Sequence, residues 1–436
     1  MSKYAIIGFG CAGYHAARQL RKYCRDAEID VFEKTEHGGA NPMLTTYYTE
    51  GKIGFQQMFP FGDMHEICRE LDLTLISGYV LRVRTDTKEV YTADGASRRY
   101  DKILISTGAS ALLPPFITAD SGEVFLMRTI RDAEALKNRL EGNAAKTAIV
   151  IGASMTGIKV AEVLHSYGIR TSLLDAAGRV FPTSAYPCVA GKIASALEEK
   201  GLRLMMGIRI SEVTPEGVIL DDGTLLNADI VCLSVGTRAN TELVANTEVV
   251  AGQTVHIDRG IIVDARMETS CPGIYAAGDC CEGIDLQTGK TMIIGLWANA
   301  AVQGECAGRN MAGMPMEYQG SIFHNITRFF GMTFAGMGDP DAPGEMRSFR
   351  RDGVDVHAVT DSGRIMSINI LGGCEISGVL KSLLIKRLYK GRGGLSMAQR
   401  GILKDAGLPR EFIEYLGAQY HEAEYRGAQY LGGDVS

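Results

Sequence analysis

Residues 5–13 read Ala5-Ile6-Ile7-Gly8-Phe9-Gly10-Cys11-Ala12-Gly13: an apolar strand entering a G-x-G-x-x-G turn, followed by a helix pattern that runs to about Tyr23. Each glycine answers a separate steric demand. Gly8 makes the tight turn, Gly10 lets a diphosphate approach the backbone, and Gly13 lets helix and strand pack closely. The helix pattern opens at about Gly13, and its N-terminus offers free N–H donors and the positive end of a dipole.

The turn has its second half. Ile29-Asp30-Val31-Phe32-Glu33 is the next strand, and Glu33 closes it 20 residues after Gly13. There a carboxylate can accept from ribose hydroxyls. The same grammar returns in mid-chain, where the strand Thr147-Ala148-Ile149-Val150-Ile151 precedes Gly152-Ala153-Ser154-Met155-Thr156-Gly157 and a helix to Tyr167. Ala153 and Ser154 replace the middle glycine, and Thr156 sits beside the last one. The following strand, Thr171-Ser172-Leu173-Leu174, ends in Asp175. An acid at that place favours a free 2′-hydroxyl and repels a 2′-phosphate, so NADH is expected over NADPH. Arg179, four residues on, leaves NADPH as the second choice.

Length and composition agree with this reading. A chain of 436 residues suggests about three domains. The formal charge of -6 offers no basic face for nucleic acid. No apolar run approaches the roughly 18 residues of a membrane span, and the N-terminus opens directly into a strand without a leader pattern, so a cytoplasmic location is expected. The ten cysteines include no C-x-x-C, so zinc and iron–sulfur readings lack ligand spacing and no metal is expected.

Three further segments narrow the comparison. Lys102-Ile103-Leu104-Ile105-Ser106-Thr107-Gly108-Ala109 and Ile230-Val231-Cys232-Leu233-Ser234-Val235-Gly236 look like the closing strands of two nucleotide domains. Gly273-Ile274-Tyr275-Ala276-Ala277-Gly278-Asp279 looks like a flavin-side strand that leads to a helix near Leu296-Trp297. With these, residues 1 to about 390 resemble the FAD-dependent pyridine nucleotide-disulfide oxidoreductases. The resemblance is to the branch of NADH oxidases, coenzyme A-disulfide reductases, and rubredoxin, ferredoxin and nitrite reductases. Phe125-Leu126-Met127-Arg128-Thr129 and Arg328-Phe329-Phe330-Gly331 also look like that branch.

The resemblance implies an α/β, glutathione-reductase-like fold with two Rossmann-like dinucleotide-binding domains and a C-terminal α+β interface domain. Its expected parts are an FAD domain of residues 1–110 and 251–325, an NAD domain of residues 111–250, and a C-terminal domain of residues 326–436 that pairs two subunits. Gly363 to Gly372 fits the central strand of that last domain. The implied FAD contacts are Gly8, Gly10, Cys11, Ala12, Gly13, Glu33, Lys34, Val80, Thr107, Gly108, Arg128, Gly278, Asp279 and Trp297. The implied NADH contacts are Gly152, Ser154, Thr156, Gly157, Asp175 and Gly236.

The departures from the family pattern bear on the chemistry. Disulfide reductases carry C-x-x-x-x-C after the first ribose carboxylate, and NADH oxidases carry one cysteine about ten residues after it. Here Glu36 to Thr46 holds no thiol, and Met43 stands near the single-cysteine place; a thioether cannot act as a thiolate nucleophile. Thiol-based reduction would need another partner thiol, such as Cys280, Cys281 or Cys306. The C-terminal His-x-x-x-x-Glu context of disulfide reductases is also missing around His421. Two residues are candidates for catalysis. Lys159 would place positive charge near flavin N5, where relatives have Glu, and His324 would act as a proton donor. The alternatives are a solvated helix lysine and a core histidine.

These features imply an FAD-dependent NADH oxidoreductase without a thiol relay. Hydride would pass from NADH to the flavin, and electrons onward to a small redox protein or a small molecule. Direct oxidation by dioxygen and a slow flavin- and NADH-binding sensor are the competing readings. The tail from Lys381, with Tyr415, Tyr420, Tyr425 and Tyr430, is either a partner docking surface or an extension on a twofold interface.

Overall fold

The computed structural model describes residues 1–142, 144–245, 254–361, 364–373, 377–390 and 395–417. Cys374, Tyr420, His421, Tyr425 and Tyr430 lie outside the described residues.

Two parallel sheets are built by the same rule. In the first, the strand order is Ile274–Ala276, Lys102–Ile105, Lys3–Ile7, Glu28–Glu33, Thr74–Ser77. Ile6 stands opposite both Val31 and Leu104, and all three are fully buried. Strands covered on both faces must be apolar throughout, which is why Ala5-Ile6-Ile7 carries no alternation. In the second, the order is Arg203–Met206, Arg170–Asp175, Thr147–Ile151, Ile230–Leu233, Val124–Phe125. Val150 pairs with Leu173 and with Cys232 in the equivalent place.

The duplication extends further than the glycine turns. Each parallel sheet has a three-stranded antiparallel sheet inserted before its closing strand. One is Val80–Arg84, Glu89–Thr92 and Ser97–Arg99; the other is Ile210–Thr214, Gly217–Leu220 and Leu225–Asn227.

The third large sheet is antiparallel, ordered His324–Phe329, Met332–Gly338, Arg364–Leu371, Val354–Asp361, Glu345–Arg351. Its middle strand, Arg364–Leu371, is the one expected from Gly363 to Gly372, and Gly363 lies outside the described residues. One face packs on the helix Ser377–Lys390, where Leu380, Leu383 and Leu384 join Val356, Ala358, Ile368 and Ile370 in a shared core. The fold is therefore mixed α/β with two Rossmann-type sheets and a third layered unit.

Two helices fix the geometry around the first turn. Cys11–Tyr23 lies against Trp297–Met311, and glycines set their separation. A Cβ on Gly304 would stand 2.2 Å from the Ala12 carbonyl oxygen, and one on Gly308 would stand 2.6 Å from that of Ala16. Real Cβ atoms do not approach so closely, so the helices cross at backbone contact. Their N-termini then meet: the Cys11 thiol donates to the Trp297 carbonyl oxygen at 3.2 Å.

Candidate active site

The first turn opens into a cavity of about 860 Å³, inside the roughly 300–1,000 Å³ range of cofactor and ligand sites. Gly8 holds φ +96°, a left-handed conformation that side chains rarely adopt, with its missing Cβ 2.5 Å from the Ser106 carbonyl oxygen. Gly13 has the Gly8 carbonyl oxygen 2.2 Å from where a Cβ would stand. Gly10 differs: a Cβ there would meet nothing within 4 Å, because that side of the turn is the cavity. The helix beginning at Cys11 has no side-chain cap, so its first N–H groups are available to an anion. A flexible diphosphate with a ribose on either side fits this cradle.

Glu33 closes the turn from the next strand. One carboxylate oxygen accepts from the Phe9 N–H at 2.9 Å, and the other from the N–H and hydroxyl of Thr35. The carboxylate thus faces the cavity from a fixed position. Lys34, Val80, Thr107, Gly108, Gly278 and Trp297 line the same space. The Trp297 ring stacks on Phe61, with centroids 5.5 Å apart and planes 19° from parallel, and Phe61 stacks on Tyr14 at 4.0 Å.

Asp279 and Arg128 meet on the cavity wall, guanidinium to carboxylate, at 2.6 Å. Arg128 also donates to the Ala109 carbonyl oxygen at 3.1 Å, tying together three segments remote in sequence. Asn240, which sequence reading missed, makes a similar clamp. It donates to the Thr107 carbonyl oxygen at 2.9 Å and accepts from Ser110 at 2.8 Å. Its only sequence signal is its place four residues past Gly236, after the second closing strand.

The second turn repeats the first outside this cavity. Gly152 has φ +107° and Gly157 packs under it, with the Gly152 carbonyl oxygen 1.8 Å from the absent Cβ. Ser154 caps the helix Met155–Ser166 by accepting from Gly157 N–H, and donates to the Ser234 carbonyl oxygen. Thr156 stands in the first turn of that helix. Asp175 accepts from Ala153 N–H at 2.6 Å and from Ala177 N–H at 2.7 Å. This repeats the way Glu33 holds Phe9. Gly236 adopts φ +113° where the chain leaves the second sheet, and its carbonyl accepts from Leu112 N–H.

Lys159 and His324, the two expected catalytic residues, do not line the cavity. The Lys159 ammonium is bonded to Glu162 one helical turn on and lies 4.6 Å from the centre of the Tyr47 ring. Glu162 in turn accepts from the Phe330 N–H. The pair places no net positive charge, and the helix directs Lys159 into this contact with a residue that sequence reading overlooked. His324 lies on the antiparallel sheet with a buried, unpartnered Nδ1, and burial pushes its pKa down to about 4, helped by the charge of Lys381.

The thiols follow the same separation. Met43 lines the cavity and is 55% exposed. Cys280 and Cys281 are buried, unpaired with each other, and donate to main-chain carbonyls; Cys306 does likewise. Among the described residues Cys11 is the one thiol on the cavity wall. Burial, seconded by the Asp279 charge, raises it to about 12, so it is a protonated donor rather than a nucleophile.

Comparison with known proteins agrees with this geometry. The pyridine nucleotide-disulphide oxidoreductase family matches residues 2–304, through both glycine turns and the Asp279 segment. The chain belongs to that family. It is 28% identical over 341 residues to an NADH oxidase of Methanocaldococcus jannaschii, covering 76% of this chain and 75% of that one. It is 30% identical over 330 residues to the assimilatory nitrate reductase electron transfer subunit of Bacillus subtilis, covering 73% of this chain and 40% of that longer protein. The water-forming NADH oxidase from Lactobacillus brevis, solved bound to NADH, superposes with a TM-score of 0.83. The two are 22% identical, with 99% of this chain and 100% of that one covered. The protein is an NAD(P)H oxidoreductase with FAD and NADH as its cofactors. No helix among the described residues is long and apolar enough to cross a membrane.

Proposed function

We propose that the protein takes hydride from NADH onto FAD and passes the electrons to an external acceptor without any thiol of its own. The observation that carries this reading is the cavity wall, where Met43 and a buried, protonated Cys11 stand and, among the described residues, no other thiol faces in. Bound flavin would supply the redox chemistry, accepting electrons in pairs and releasing them in pairs or singly. The chain supplies position. Gly10 and the first helix turn would receive the diphosphate, Glu33 a ribose, Asp279 the ribityl chain, and Trp297 would border the ring system.

The second turn would hold NADH, with Asp175 toward the adenosine ribose. NADPH is the poorer fit, because Arg179 is engaged by the Pro182 carbonyl and the Asp341 carboxylate and is not free for a 2′-phosphate. The C-terminal sheet would serve as the pairing surface of a homodimer, and the domain divisions follow residues 1–110 with 251–325, 111–250, and 326 onward.

The acceptor we favour is a small redox protein, since the Bacillus relative is by name an electron transfer subunit. Dioxygen is the second reading, favoured by the relative named NADH oxidase. Reduction by NADH followed by mixing with a quinone, a one-electron dye or dioxygen separates them. Fast transfer to dyes with slow oxygen consumption supports the first, and oxygen uptake that matches NADH loss supports the second.

A further inference from the structure

Outside the cavity, the helix Pro187–Glu199 lies across the antiparallel sheet so that two of its residues stand over two of the strand Val354–Asp361. Cys188 Sγ is 4.0 Å from His357 Nδ1, and Lys192 Nζ is bonded to Asp355. The spacing is commensurate: four helix residues rise about 6 Å and two strand residues about 6.6 Å. The neighbouring strand completes each pair, since Ser348 stands opposite His357 and Arg350 opposite Asp355. Ser348 Oγ is 2.8 Å from the same His357 Nδ1, and Arg350 binds the Asp355 carboxylate with two nitrogens.

His357 is 6% exposed, and its Nε2 has no partner. A buried unpaired N–H costs more than a buried unpaired lone pair. The favoured tautomer therefore puts the proton on Nδ1, where it can be donated to Ser348 or to a sulfur at Cys188. Cys188 also occupies the first turn of a 13-residue helix whose N-cap, Tyr186, gives no side-chain hydrogen bond. That end of a helix favours an anion. Around it Lys192 and Arg350 share the single carboxylate of Asp355, which leaves an excess of one positive charge.

We propose that Cys188 is a modification site which exchanges with small, negatively charged disulfides to form a mixed disulfide. The Cys188 thiolate attacks one sulfur of the reagent, the new S–S bond forms as the old one breaks, and the displaced thiolate takes a proton from water. Cys188 is oxidised, and the released half of the reagent is reduced. His357 stabilises the attacking sulfur, and Lys192 with Arg350 attracts the anionic arms of the reagent. The selectivity is built in: seven of the nine described cysteines are buried, and burial raises each of those thiols. Cys24 is half-buried, and Cys188 is exposed.

The test uses the full-length flavin-loaded protein with glutathione disulfide, and separately with the cationic disulfide cystamine, locating adducts by peptide mass spectrometry. We expect a first adduct at Cys188, formed about tenfold faster than with free cysteine at the same pH. Relative to free cysteine, glutathione disulfide should react faster than cystamine. C188S should give no adduct at that peptide, and S348A, which leaves Nδ1 to the sulfur alone, should raise the rate about threefold. A first adduct on another cysteine, a rate no greater than that of free cysteine, a preference for cystamine, or an S348A rate unchanged from the parent would each overturn the proposal.

Discussion

Arg128 Nη2 lies 2.6 Å from Asp279 Oδ2, joining residues 151 positions apart on the wall of the cofactor cavity. Asp279 leaves the strand Ile274–Ala276, and Arg128 comes from the segment just before the helix Ile130–Glu141. The pair holds the return of the chain into the first sheet against the entry to the second. Its side chains are 23% and 19% exposed, so the charges are partly desolvated and the hydrogen bond is charge-assisted.

Replacing Arg128 with Met leaves Asp279, the residue proposed to meet the ribityl chain, without this partner. We expect a stability loss of about 1.5–3 kcal/mol, as for a hydrogen bond to a charged group, together with weaker flavin retention. Thermal unfolding of the flavin-free protein and the flavin content of the purified variant measure the two effects separately.

Gly13 and Gly10 of the first turn should respond differently to a single methyl group. Gly13→Ala puts a Cβ at 2.2 Å from the Gly8 carbonyl and should cost on the order of 1–3 kcal/mol or prevent folding. Gly10→Ala meets no protein atom within 4 Å and should fold normally while losing FAD, since its Cβ enters the space proposed for the diphosphate. Circular dichroism and flavin absorbance distinguish a fold defect from a binding defect.

Much of this site is legible in the chain itself. Gly8, Gly10, Gly13 and Glu33 announce a turn, its approach side and its closing acid, because backbone sterics admit few residues there. What escapes is contact between side chains whose spacing looks ordinary. Lys159 and Glu162 are three residues apart on a helix, and such a pair reads as solvated charge until the packing of Phe330 and Tyr47 closes around it. Asn240 escapes for a different reason: it follows a short edge strand, and only the pairing of Thr237–Ala239 with Ala109–Ala111 brings it to Thr107.

Asp175→Ala should change nucleotide preference and also cost some stability, since it removes the acceptor of the Ala153 N–H, on a buried residue of the turn, and of the Ala177 N–H. We expect the kcat/KM for NADH to fall by about tenfold and that for NADPH to change little. Steady-state kinetics with both nucleotides and one fixed acceptor gives the ratio; an unchanged ratio would remove Asp175 from the ribose site.

Lys159→Met removes the partner of a mostly buried carboxylate, so its effect should fall on stability. The expected loss is about 3–5 kcal/mol, with Glu162 left unpaired. Lys159→Met combined with Glu162→Gln should recover part of it. Denaturant unfolding of both variants checks the coupling.

His324 sets a pH dependence with a definite sign. Its folded pKa is near 4 against an ordinary 6.5, so between those values the unfolded chain binds a proton that the folded chain refuses. The contribution is therefore fully present above about pH 6.5 and is lost as pH falls toward 4. The stability difference between the parent and His324→Leu should shrink over that window, as read from denaturant midpoints at several pH values.

The most direct measurement is an anaerobic titration of the flavin-loaded protein with NADH, following flavin absorbance and free thiols together. With no thiol in the relay, bleaching should be complete at a single NADH per flavin, with the thiol count unchanged. Uptake of a second equivalent, accompanied by the appearance of new thiols, would mean that a cysteine pair shares the electrons and that the cavity wall of Met43 and Cys11 has been misread.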